Sequence, residues 1–426
     1  MPCPTFTGLF AFMKLLVFAH IPPPHHGQSY MVKLMLDGFG GDVRHPSSSK
    51  PLVEGIQCYH VNARFSKDLA AVGEFQAAKL FLIFWFCLQA IWIRFRHGVT
   101  SLYYVPAPGK KNALYRDWLI MLICRPFFKK LIFHWHAAGL AKWLEFYCNI
   151  HLRSITYRLF KPVDLSIVLS KHTVADAEKF LSSRIQILPC GIPDPCPDFD
   201  ETIMPRRKAR LAARASLMSN QSLPNPLTIK DEEGPSTLKI LYLAHCMREK
   251  GLFDAVDGVI RAGALLSDAG SPLRLHLSVA GEFVTSEERA EFNQKVAEVD
   301  SNPASRVRIT YLGFVSGERK RQVFIENDFF CFPTYYHAES FGLVVVEAMA
   351  FGLPVITTSW RSLTDILPSA YPGFVDIQSP TQIADALLRL ADQEISGILR
   401  SNFNARFTLD AYLKNLAGIL HGVDTA

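Results

Sequence analysis

Residues 329–358, FFCFPTYYHAESFGLVVVEAMAFGLPVITT, constrain the fold more than any other part of the chain. Phe329–Phe332 is an apolar run ended by Pro333, which predicts a buried parallel strand. Thr334–Gly342 is polar and reads as a loop. Leu343–Phe351 predicts a helix, with Gly352 as its stop and Pro354 beyond, and Leu353–Thr358 predicts the next strand. Such a unit places its loop at the carboxyl edge of a parallel sheet, where open α/β folds bind ligands. Ser340-Phe341-Gly342-Leu343 opens the helix, so free backbone N–H groups and the positive dipole end offer an anion site, and Gly342 lets a phosphate approach. Glu339 lies just before the helix and Glu347 inside it, so both carboxylates can border one cleft and accept hydroxyl pairs. Phosphate plus adjacent hydroxyls describes a nucleotide sugar. The competing reading is a capped surface helix with two solvated glutamates.

The segment resembles the E-x7-E signature of the group 1 (family 4) retaining glycosyltransferases. That resemblance implies the GT-B fold: α/β, two Rossmann-like domains with parallel sheets facing across a cleft. It also implies that Glu347 holds the donor ribose, that Glu339 contacts the donor sugar, and that the backbone of Phe341, Gly342 and Leu343 faces the diphosphate.

A chain of 426 residues is too long for one core and suits two domains. The expected division is an acceptor-binding Rossmann-like domain at 1–196, a linker or insertion at 197–236, a nucleotide-sugar-binding domain at 237–398, and a terminal helix at 399–426 returning to the first domain. With 49% apolar and 20% charged residues the chain is globular. Nine scattered cysteines without a C-x-x-C argue for reduced thiols, a cytosolic setting and no zinc site. Residues 1–190 hold 22 Lys and Arg against 10 Asp and Glu, whereas residues 191–426 hold 23 against 29. The basic first half suggests an anionic partner, namely a lipid surface, a phosphorylated lipid carrier or a nucleic acid, or else a solvated surface. No nucleic-acid reading motif accompanies the charge.

Along the first half, Leu15–Ala19 predicts the first strand and Gln28–Leu36 the helix after it, joined by a Pro-rich loop with Gly27. Asp37–Gly41 imitates a dinucleotide fingerprint but follows a helix, which excludes that role. Leu80–Ile93 is fourteen residues of nearly unbroken apolar sequence, short of the roughly 20 that span a bilayer. It predicts a buried helix, with an interfacial helix as the alternative. Leu102–Val105 predicts a second strand, followed by a loop in which Lys110 and Lys111 offer positive charge to an acceptor. Leu131–Phe133 predicts another, running into His134 and His136 on one face. A metal cluster with His20, His25 and His26 lacks a completing carboxylate or cysteine. The resemblance assigns a histidine near the sugar, matched by His136, and a glycine loop over donor and acceptor, matched by Gly27 and Gln28. A structural histidine is the alternative at 136. Pro189-Cys190-Gly191-Ile192 resembles the family's P-N-G segment, with Cys190 in place of Asn.

Residues 197–236 read as a partly mobile linker with one short helix, and Asp198-Phe-Asp200 within it as a solvated turn. Leu238–Leu243 predicts the first strand of the second domain and Leu252–Leu266 its helix. Lys250 beside Gly251 suits a diphosphate as a mobile point charge. The family has an Arg five residues before that lysine; here His245 stands there, with Arg248 nearby, and either could serve. Strands are expected at Leu273–Ala280 and Val307–Leu312; by resemblance Phe314 and Val315 hold the base through backbone. Ile383–Ala391 and Leu409–Leu420 predict amphipathic helices.

Together these residues imply transfer of a sugar from a nucleoside-diphosphate sugar to an acceptor hydroxyl, with no metal or cofactor expected because a helix mouth and Lys250 supply positive charge. His136, Glu339 and Lys250 are the expected catalytic groups. The implied acceptor is a polysaccharide or polyprenyl-diphosphate-linked glycan, and the implied location is the cytoplasm, at the inner face of a membrane. The alternatives are a nucleotide-sugar epimerase of the same fold and a non-catalytic subunit binding a glycan or lipid carrier.

Overall fold

The computed structural model describes residues 12–23, 26–46, 50–65, 77–218 and 234–424. The chain divides into two compact units, Met1–Ile192 with Leu409–Ala426, and Pro193–Thr408. Helix Leu409–Asp424 belongs to the first unit, whereas helix Ser396–Arg406, expected to return with it, stays in the second.

In the first unit β1 (Met13–Ala19), β2 (Gly41–Asp42), β3 (His45–Pro46), β4 (Ile56–Asn62), β5 (Ser101–Tyr104), β6 (Lys130–Trp135), β7 (Leu165–Val168) and β8 (Ile185–Ile187) form one sheet. Its order is β3-β2-β4-β1-β5-β6-β7-β8, parallel except between β2 and β3. Alternate residues of β1, β5 and β6 (Leu16, Phe18, Leu102, Tyr104, Leu131, Phe133) enter one core, roofed by Ile83, Cys87, Ala90 and Ile93. Strand order reverses at β1, so the loops after β1 and β5 flank a switch point. Strand β4 escapes the sequence reading because Gln57 and His60 dilute its apolar pattern, so Ser101–Tyr104 is not the second strand.

The apolar stretch expected as a buried helix is longer and only half buried. Helix Ala77–His97 covers the sheet with one face and leaves Phe81, Trp85, Leu88 and Trp92 on the other exposed.

The second unit holds β9 (Thr237–Leu243), β10 (Arg274–Ala280), β11 (Val307–Gly313), β12 (Phe329–Phe332), β13 (Val355–Thr358) and β14 (Phe374–Val375). They lie in the order β11-β10-β9-β12-β13-β14, all parallel. This is the doubly wound arrangement, and its switch point lies between β9 and β12. Here the strand, helix and strand expected over 329–358 are Phe329–Phe332, Leu343–Ala350 and Val355–Thr358.

The linker expectation is corrected. Residues Phe199–Ile203 form a wide turn and Met204–Met218 a regular helix, whose Arg207, Arg210 and Arg214 are buried. At helical spacing these arginines occupy one face, so a basic run that looks solvated in sequence is a docking face. Residues 219–233 lie outside the described residues. Asp198 is not a free solvated turn either: it accepts from Arg321 Nη2 at 2.9 Å and Thr202 Oγ1 at 2.9 Å.

Asp328, just before β12, receives those arginines. Its carboxylate accepts from Arg210 Nε at 2.9 Å, Arg214 Nη2 at 3.2 Å and the Lys239 N–H of β9 at 3.0 Å. The Asp328 N–H donates in turn to Lys239 O at 2.8 Å. One carboxylate therefore fixes the register of β9 against β12. Burial opposes its ionisation, but Arg210 and Arg214 overcome that cost and lower the carboxyl to about 2. Because the folded value lies below the ordinary 3.8, this stabilisation is complete above that pH and is lost as pH falls towards 2. Asp328→Asn should destabilise the second unit by about 3–5 kcal/mol in denaturant melts at pH 7, because it removes the carboxylate charge that the buried guanidiniums face. It should also remove part of the acid sensitivity between pH 4 and 2. A variant as stable as the parent would contradict this role.

Candidate active site

The loops after β9 and β12 meet at the switch point of the second sheet. Gly251 has φ +78°, and a Cβ there would sit 2.3 Å from the Pro333 carbonyl oxygen. Glycine thus lets the loop after β9 press against the loop after β12. The Tyr335 N–H donates to Glu249 O at 2.9 Å, and Thr334 Oγ1 donates to the same oxygen at 3.3 Å. Lys250 and Glu339, far apart in sequence, are brought together by this junction. Lys250 Nζ lies 2.6 Å from Glu339 Oε2, and over the rings of Tyr336 at 4.8 Å and Phe332 at 5.6 Å. Glu339 is buried and Lys250 nearly so, which gives this ion pair little solvent screening. An anion entering here would compete with Glu339 for a pre-positioned ammonium.

Gly342 caps helix Leu343–Ala350 with φ +84°, and a Cβ would meet Leu363 Cδ2 at 2.7 Å. No side chain caps the helix, and the Val345 N–H turns back to Gly342 O at 2.9 Å, so the N–H groups of Leu343 and Val344 are the ones offered to an acceptor from outside. Phe341 is buried and packs edge-on against Phe407, anchoring the mouth, while Ser340 and Leu343 are half-buried. Glu347 lies farther along the helix. Its Oε1 accepts from Lys320 Nζ at 2.6 Å, whereas its Oε2 is buried without a hydrogen-bond partner. A buried acceptor left open in this way invites a donor from a ligand. Lys320 was not singled out by the sequence, because helix Gly317–Glu326 carries no motif and its lysine looks like any solvated surface charge.

His245 and Arg248 separate in the structure. His245 reaches solvent at its edge, yet partial desolvation at this junction, and after it the nearby Lys250, holds its imidazole below the ordinary range. Arg248 is engaged by both carboxylate oxygens of Glu291, at 2.7 and 2.6 Å, and lies over the Phe253 ring. Neither residue presents an unpaired positive charge. After β11, Phe314 is exposed and Val315 is buried.

In the first unit, β6 delivers His134 and His136 to one place, with ring centroids 4.2 Å apart. His134 Nδ1 pairs with the Tyr103 hydroxyl, while the Nε2 atoms of both histidines are buried without a partner. Burial, and after it His26, lowers His136 to about 3. His20 Nε2 lies 2.8 Å from His26 Nε2, and burial followed by His26 lowers His20 to about 4. His20, His134 and His136 are therefore neutral at pH 7. Gly27 opens helix Gly27–Gly38 and is exposed, Gln28 is half-buried, and His26 caps the helix by accepting from the Ser29 N–H. Lys110 and Lys111 are exposed at the start of helix Lys111–Cys124, beyond β5. His25 lies outside the described residues. Among the described residues no group of three or more His, Cys, Asp or Glu is arranged to hold a metal.

Residues 229–407 match the family model for glycosyl transferases group 1. Mannosylfructose-phosphate synthase of Agrobacterium fabrum is 29% identical over 119 residues, which are 28% of this chain and 25% of that protein. A D-inositol 3-phosphate glycosyltransferase of Pseudarthrobacter chlorophenolicus is 30% identical over 159 residues, 37% of this chain and 35% of that protein. The chain thus spans between a quarter and about a third of the length of these two relatives. Among solved structures, Anabaena HepE in complex with UDP and glucose aligns with TM-score 0.62 at 13% identity, covering 95% of this chain and 99% of that one. Sucrose-phosphate synthase of Thermosynechococcus elongatus aligns with TM-score 0.62 at 17% identity, covering 97% and 99%. The fold is GT-B, and the segment bearing Lys250, Lys320, Glu339, the helix mouth and Glu347 is the one that matches the group 1 glycosyl transferases.

Proposed function

We propose that the protein is a retaining glycosyltransferase of family 4 that moves a sugar from a nucleoside-diphosphate donor to an acceptor hydroxyl. The observation carrying this reading is the pairing, at one sheet switch point, of an uncapped helix mouth with a lysine held ready beside it. In this reading the diphosphate sits at the N–H groups that follow Gly342, and Lys250 turns from Glu339 to a phosphate oxygen. Charge grows on the diphosphate as the glycosidic bond breaks, and a preorganised donor at such a site is worth about 3–4 kcal/mol. Glu339, released by the lysine, accepts from sugar hydroxyls. The open Oε2 of Glu347 accepts from the ribose, with Lys320 fixing the carboxylate. The acceptor attacks the face that the diphosphate leaves, and a phosphate oxygen takes its proton.

A divalent metal is unnecessary to this scheme, because the helix mouth and Lys250 provide the positive charge. His136 is the proposed sugar contact of the first unit. Burial keeps it uncharged, so it would act as a hydrogen-bonding group rather than as an acid. The proposed acceptor is a polysaccharide or polyprenyl-diphosphate-linked glycan, with the basic first unit meeting its phosphates near Lys110 and Lys111 and with Gly27 and Gln28 bordering it. The proposed location is the cytoplasmic face of a membrane, supported by the eight described cysteines, all of them unpaired.

The first test measures diphosphate release and glycoside formation from UDP-, GDP- and ADP-sugars, with membrane extract as the acceptor source. Lys250→Ala should lower kcat at least about tenfold, whereas Glu347→Gln should mainly raise donor KM by about tenfold. Both variants should remain folded, with Lys250→Ala melting lower than the parent because buried Glu339 loses its counter-ion. Parental kinetics in both would contradict the assignments, and release of an epimerised donor without a glycoside would replace transfer by epimerisation. A second test adds EDTA: activity should persist, and complete, metal-reversible loss would contradict the metal-free scheme.

A further inference from the structure

We infer that the outer face of helix Ala77–His97 docks the protein on a lipid bilayer that carries anionic headgroups. The helix is apolar on two opposite sides. Ile83, Cys87, Ala90 and Ile93 are wholly or almost wholly buried against the first sheet, which fixes the helix flat on its unit. Phe81, Phe84, Trp85, Leu88, Trp92 and Phe95 recur at spacings of three or four on the other side, each with half or more of its surface exposed. At 100° per residue they fall within a single stripe, about 21 Å long at 1.5 Å per residue. A stripe of this composition is not a solvated helix face, and soluble monomers rarely expose one. Leu80–His97 is long and apolar enough to cross a membrane by length and composition. Its inner face is committed to the protein core, so it can lie in an interface but cannot span one.

Charge selects the occupant. Residues 77–161 contain 13 Lys and Arg but only two acidic residues, Asp117 and Glu145. Asp117 pairs with Arg116, one of the thirteen, and Glu145 pairs with Lys179 outside the segment, so the basic residues remain in large excess. The helix itself contains no Asp or Glu and ends in Arg94, Arg96 and His97. Arg94 Nε donates to Phe127 O at 2.7 Å, and the exposed Phe127 ring lies 5.8 Å from that of Phe95, which extends the apolar stripe at its basic end. Lys14 reaches the same end, donating to His97 O at 3.0 Å. Tryptophan and phenylalanine flanked by arginine and lysine match the boundary between acyl chains and anionic headgroups. The same charge opposes a second copy of this chain, because a two-fold contact would set one basic surface against another. Docking through this face does not depend on the reaction proposed above.

The test uses the full chain with vesicles of phosphatidylcholine alone or with added phosphatidylglycerol, without any glycosyl acceptor. Cosedimentation should favour the anionic vesicles, and lipids brominated near the headgroup should quench tryptophan emission of the unaltered protein. Trp85→Ser with Trp92→Ser should weaken partition at least about tenfold. Arg96→Glu should weaken binding to anionic vesicles while leaving nucleotide binding unchanged. If the tryptophan variant fails to fold, quenching of the parent and the Arg96→Glu comparison still decide the matter. Absence of vesicle binding, equal binding to neutral vesicles, or undiminished binding by a folded tryptophan variant would overturn the inference. So would a dimer in sedimentation equilibrium that the same variant dissociates, since the face would then belong to a second copy.

Discussion

The second unit depends on the carboxylate of Asp328. Strands β9 and β12 pair over a short stretch, Ile240 with Phe329 and Leu241 with Phe330. Asp328 lengthens that pairing at its amino end through the Lys239 N–H and anchors it to Arg210 and Arg214. A register slip of one residue would exchange the faces of β12 and rotate its following loop away. The loops at the other ends of these strands carry Lys250 and Glu339, which meet at 2.6 Å across the two loops. A buried ion network at one edge of the sheet thus supports the ion pair at the opposite edge.

The two glutamates of the helix unit share a design. Each is nearly buried, and each is held by one lysine from a different segment, Lys250 for Glu339 and Lys320 for Glu347. Pairing offsets the cost of keeping carboxylates out of water while leaving acceptor capacity for hydroxyl groups. The unpartnered Oε2 of Glu347 and the uncapped helix mouth are both groups that folding alone would be expected to satisfy. Such shortfalls concentrate where a ligand completes the structure.

The sequence was most legible where punctuation is dense. Pro333, Gly342, Gly352 and Pro354 bracket the elements of residues 329–358, and the strands and helix there match the expected ones to within two residues. Lys250 was legible because it stands beside Gly251 at a helix start. Lys320 was not, since a single lysine on an amphipathic helix has no local signature. The arginines of helix Met204–Met218 misled for a related reason: their burial depends on Asp328, more than a hundred residues away. Helix Ala77–His97 shows a different limit. With both sides apolar its periodicity has no contrast, so the sequence could not tell the core side from the exposed one.

The central claim is that the loops after β9 and β12 hold a nucleoside diphosphate. Its most direct test is a crystal structure of the protein soaked with uridine diphosphate. The account predicts the phosphates at the N–H groups following Gly342, with Lys250 Nζ moved from Glu339 to a phosphate oxygen and a ribose hydroxyl on Glu347 Oε2. Nucleotide bound elsewhere, with the Lys250–Glu339 contact intact, would contradict it.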